Sequence, residues 1–68
     1  MKIDILLRKL GKPAQRGIQD AGITTLEQFS NYSEKEIYEL HGIGMNAMIV
    51  IRSILEENGL AFSDKDSL

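Results

Sequence analysis

The pattern with the clearest chemical meaning in this sequence is Leu40-His41-Gly42-Ile43-Gly44-Met45-Asn46-Ala47. Two glycines flanking one apolar residue allow a tight turn between helices. Gly42 is able to take the positive φ that ends one helix, and Gly44 starts the next helix with no side chain in front of its amides. Ile43 would plug inward and pin the turn. Amides at a helix N-terminus, aided by the helix dipole, form a site for a phosphate oxygen. Such a contact reads backbone and not bases, so it confers affinity with little sequence choice. The same letters also satisfy Gly-x-Gly-x-x-Ala, the dinucleotide fingerprint. That reading is rejected, because the fingerprint must follow a strand in a βαβ unit and here it follows a helical segment.

A phosphate site needs cations, and these are unevenly placed. Residues 1–16 hold Lys2, Arg8, Lys9, Lys12 and Arg16 against Asp4, whereas residues 17–68 hold three bases and nine acids. The chain as a whole carries −2, so bulk field does not draw it to nucleic acid and only a local basic patch could. Lys12 and Arg16 are the candidate cations. His41, the only histidine, reads as a surface or capping residue that could also hydrogen-bond a phosphate.

Short helices must position this turn. Ile3, Leu6, Leu7 and Leu10 fall at the i, i+3, i+4, i+7 spacing of one helix face, and Gly11 ends that helix. Pro13 suits the first position of a helix over 13–21, closed by Gly22. Thr25 with Gln28, and Ser33 with Glu36, fit the capping-box spacing and start helices near 26–31 and 34–40. Residues 45–58 read as the longest helix, with Met48, Ile51 and Leu55 on one face, Gly59 as its stop and Leu60 folding back. Ile23-Thr24-Thr25-Leu26 is too short for a strand and reads as a connection. Leu10-Gly11-x-x-Ala14 followed by Ile18 echoes Ile43-Gly44-x-x-Ala47 followed by Ile51, as two related units would.

The expected fold is therefore an all-α bundle of four to five short helices, one domain over 1–62 with a flexible polar tail over 63–68. With 68 residues, no Cys and one His, the chain offers little for an active-site pocket, and a non-enzymatic binding module is expected. No cofactor is expected. No metal site is expected either: Glu34, Glu36 and Glu39 lack a second acidic cluster and read as a solvated face. The longest apolar run, Ala47 to Ile51, is far short of the roughly 20 residues of a membrane span. The N-terminus does not read as a signal peptide, so cytoplasmic residence is the expectation. Phe29, Tyr32, Tyr38 and Phe62 are scattered and read as core or edge packing, not as a stacking platform.

LHGIGMNA with the helix after it and the closing ILEENGL resembles a helix-hairpin-helix motif. From about Leu10 to Leu60, including DAGITTLEQF and the SEKEIYEL helix, the chain is similar to the C-terminal domain of the bacterial RNA polymerase alpha subunit. That resemblance, of the SAM-like kind, implies a five-helix domain that contacts the DNA minor-groove backbone and binds transcription factors. In the resembled domains the hairpin glycines and a basic residue after them touch phosphate, and an early-helix arginine enters the minor groove. Gly42 and Gly44 keep the glycines. Met45 and Asn46 stand where the basic residue is expected, and Pro13 at the arginine position, leaving Lys12 and Arg16 to supply displaced cationic contacts.

Two partners follow as expectations. The first is DNA backbone, bound weakly and salt-sensitively through Lys12, Arg16, His41, Gly42, Gly44, Met45 and Asn46. The second is a protein, or a second copy in a homodimer, docked on Met45, Ile49 and Val50, where the resembled domains tend to carry polar residues. Met45 and Ile49 are four apart and lie one above the other on a second helix face.

Overall fold

The computed structural model describes residues 2–63, so the expected tail over 63–68 lies outside the described residues except for its first residue, Ser63. Within them the chain is helical, as expected, with five helices and no strand. These are α1 (Asp4–Arg8), α2 (Lys12–Asp20), a 3₁₀ helix (Leu26–Asn31), α3 (Glu34–Tyr38) and α4 (Met45–Glu57).

Local sequence explains most of the boundaries. Asp4 in the first turn of α1 and Arg8 in its last turn complement the helix dipole. The helix is shorter than its apolar spacing suggests, because the chain tightens at Lys9 and Leu10, whose amides bond three residues back to Leu6 and Leu7 at 3.0 and 3.1 Å. Gly11 is then extended and starts α2 at Lys12, which puts Pro13 at the second helical position and not the first. The shift costs nothing, since that N–H also lacks an intrahelical acceptor.

Both expected capping boxes form. The Thr25 N–H donates to Gln28 Oε1 at 2.7 Å. The Ser33 N–H donates to Glu36 Oε1 at 2.9 Å while Ser33 Oγ accepts from the Glu36 N–H at 3.1 Å. At the end of α4, the Leu60 N–H reaches the Leu55 carbonyl at 2.7 Å, and Gly59 donates to Glu56 at 3.1 Å. This closure folds Leu60 back against the core.

The core is built around α4, which packs against both α1 and α3. Ile51, Ile54 and Leu55 meet Leu6 from α1, Ile18 from α2, Phe29 from the 3₁₀ helix and Ile37 from α3 in one buried cluster. Phe62 closes the far end by meeting Phe29 edge to face, with ring centroids 6.3 Å apart and planes at 88°. The Ser63 N–H donates to the Tyr32 carbonyl at 2.8 Å, which ties the chain down at that point.

Candidate nucleic-acid interface

Two glycines bring α2 against the turn between α3 and α4. A Cβ at Gly17 would lie 1.9 Å from the His41 carbonyl oxygen, and one at Gly42 would lie 2.1 Å from that of Pro13. Neither backbone could approach so closely past a side chain. Gly42 also has φ +83°, the positive value expected of it. Ile43 is buried behind the turn, as the plug reading requires.

This contact sets the N-termini of α2 and α4 side by side. Each starts from a glycine in extended backbone, Gly11 and Gly44, and neither receives a side-chain cap. The sequence echo is thus also a structural one. Leu10 and Ile43 are buried before the glycines, and Ile18 and Ile51 are fully buried one turn beyond Ala14 and Ala47. Both helix starts open into one surface groove of about 380 Å³. Leu10, Gly11 and Pro13 line one wall, and Gly42, Gly44, Met45 and Asn46 the other. Gly44 has open space around it, so an anion could approach its amides.

The cation lining this groove is Lys9, which sequence reasoning counted among the basic residues but did not single out. Lys12, Arg16 and His41 are exposed nearby on α2 and on the turn, outside the groove walls. The corner is held by Gln15, another residue that spacing alone did not mark. Its side-chain amide donates to the carbonyls of Leu7 at 2.7 Å and Leu10 at 2.8 Å, satisfying the end of α1 beside Lys9.

The apolar trio divides. Met45 and Ile49 are 68% and 60% exposed, but Val50 is half-buried against the core and lines the hairpin groove. A second groove, of about 470 Å³, runs between α3 and α4, with Tyr38, Met45, Met48 and Ile49 as its apolar lining. Tyr38 is 50% exposed there, at the edge of the fold and outside its core. Met45 belongs to both grooves. Glu34, Lys35 and Arg52 line the second groove, where Arg52 lies 3.4 Å from Glu34 and, outside it, 3.9 Å from Glu56.

Among the described residues no group of His, Cys, Asp and Glu could hold a metal ion, and no helix is long and apolar enough to cross a membrane. Compared with family models, curated proteins and solved structures, the chain matches none.

Proposed function

We propose that this chain is a small non-enzymatic module that binds the phosphate backbone of duplex DNA through its glycine hairpin. The helix-hairpin-helix resemblance of LHGIGMNA, and that of the longer stretch to the RNA polymerase alpha C-terminal domain, suggests a role connected with transcription. The observation that carries the reading is the pair of glycine-capped helix starts opening into one groove beside Lys9. Two sets of amides at two helix N-termini favour an anion there more than one would. Lys12 and Arg16 stand close enough in sequence to extend the contact along a strand. With at most three cations, the logarithm of affinity should fall by about 2 to 3 per decade of salt, and binding is weak at physiological ionic strength.

The test is a titration of the ¹⁵N-labelled chain with a short DNA duplex at low and moderate salt. Shifts confined to residues 9–16 and 41–47, fading as salt rises, are expected. Silence at low salt overturns the reading.

A second reading is a protein-interaction adaptor of the same fold. It is favoured by the exposure of Met45 and Ile49 in an acidic chain whose hairpin lacks the basic residue that the resembled domains carry. A mass that depends on concentration, together with a silent duplex titration, would decide for it.

A further inference from the structure

We propose that Asn58-Gly59, at the end of α4, is a self-modification site: attack by the next backbone nitrogen expels the Asn58 side-chain amide, and the closed helix end holds that reaction off. The inference is independent of what either groove binds. Asn58 is the C-cap of α4, and Gly59 follows it at φ +71°. Both residues are exposed, so water and hydroxide reach them. The nitrogen of a residue with no side chain is the least hindered nucleophile that a backbone offers. In the reaction, Gly59 N gives its proton to hydroxide and bonds to Asn58 Cγ, and the amide group departs as ammonia, taking a proton from water. Water then opens the five-membered ring at one carbonyl or the other. The residue at 58 becomes aspartate, or an isoaspartate whose Cβ lies in the main chain.

Local geometry blocks the first step. The ring closes only when Gly59 N eclipses Asn58 Cβ, which tetrahedral geometry at Cα puts at a ψ of roughly −120°. Asn58 instead has ψ 13°, which turns that nitrogen away from the side chain. Hydrogen bonds keep it there. Asn58 Nδ2 donates to the Ile54 carbonyl at 2.8 Å, the Gly59 N–H to Glu56 at 3.1 Å and the Leu60 N–H to Leu55 at 2.7 Å. Forming the ring undoes all of these, so it requires the helix end to open. Ammonia leaves, which makes the change one-way. Aspartate at 58 lacks the donor to Ile54 and puts a negative charge at the helix C-terminus next to Glu56 and Glu57, the unfavourable end of the dipole. Isoaspartate lengthens a stretch of chain fixed at both ends, by the buried Leu55 and by Phe62 against Phe29. Either product loosens the fold of Leu60 onto the core.

Incubating the full chain at neutral and alkaline pH, in buffer and in guanidinium chloride, tests this by mass spectrometry of its proteolytic peptides. In denaturant, conversion to aspartate and isoaspartate should concentrate at position 58 and spare Asn31 and Asn46, which precede tyrosine and alanine. In buffer the rate at 58 should be about a hundredfold lower, the worth of three ordinary hydrogen bonds. Leu60→Ala weakens the closure without touching the reacting atoms and should raise the rate in buffer while circular dichroism stays helical. Leu60→Val is the milder substitute if Leu60→Ala loses its helix. Asn58→Gln, for which attack needs a six-membered ring, should suppress the change in both media. Asn58→Asp, which reproduces one product, should exchange its Leu60 amide about tenfold faster, with Ile51 unaltered. Equal rates in buffer and denaturant overturn the proposal, since the fold then restrains nothing. So does a position 58 that outlasts Asn31 and Asn46 in denaturant, or a folded Leu60 variant no faster in buffer than the unaltered chain.

Discussion

Gly17 and His41 touch through backbone alone: a methyl group on Gly17 would lie 1.9 Å from the His41 carbonyl oxygen. That approach, with its counterpart between Gly42 and Pro13, sets the distance between α2 and the hairpin and therefore the width of the groove they share.

Gly17→Ala should accordingly destabilise the fold. Better helix propensity returns about 1 kcal/mol, but forcing two backbones apart costs about 3 kcal/mol, at the upper end of overpacking effects. A net loss of about 2 kcal/mol is expected. Urea unfolding followed by circular dichroism measures it, and a midpoint that rises would mean that the two segments do not meet.

Gly44→Ser should behave oppositely. The position has φ −110° and nothing within reach of an added Cβ, so serine fits without strain and can cap α4 through the Ala47 amide. Stability should rise by a few tenths of a kcal/mol. Affinity for duplex should fall, because the hydroxyl then occupies an amide that a phosphate would use. A variant more stable and tighter-binding at once would contradict the anion site.

Lys9→Gln should lower the dependence of duplex affinity on salt by about 0.9 in the log-log slope, one phosphate contact's worth. Arg52→Gln, whose charge lies beside the other groove, should leave the slope unchanged. Fluorescence anisotropy across a salt series distinguishes them. Equal effects would point to non-specific attraction.

Gln15→Met keeps the side chain's length but removes both hydrogen bonds to the Leu7 and Leu10 carbonyls. At about 1 kcal/mol for each bond, a loss of about 2 kcal/mol is expected. Amide exchange at Lys9 and Leu10 should quicken more than exchange at Ile51 and Leu55, since the bonds hold the end of α1 and not the core. Uniform acceleration would place Gln15 in the global fold instead.

Features written within a few residues were legible in the sequence. The Ser33–Glu36 and Thr25–Gln28 boxes, the positive φ of Gly42 and the start of α4 at Met45 depend on neighbours one turn away. The pieces of the site that were not legible depend on long-range packing. Gly17 looks like an unfavourable residue inside a helix until His41 is set against it. Lys9 reaches the groove only because Leu10 is buried and Gln15 clamps the corner. The grouping of Val50 with Ile49 divides on helix geometry: one residue turns the side chain by about 100°, so Ile49 lines the α3–α4 groove and Val50 the hairpin groove.

Met45 forms a wall common to both recesses, so a ligand that shifted its side chain in one would reshape the other. By thermodynamic linkage, a shift in duplex affinity caused by an occupant of the α3–α4 recess would appear, to the same factor, as a shift in that occupant's affinity caused by duplex. An exposed thioether at the seam between two recesses would thus make their two occupants a single coupled system.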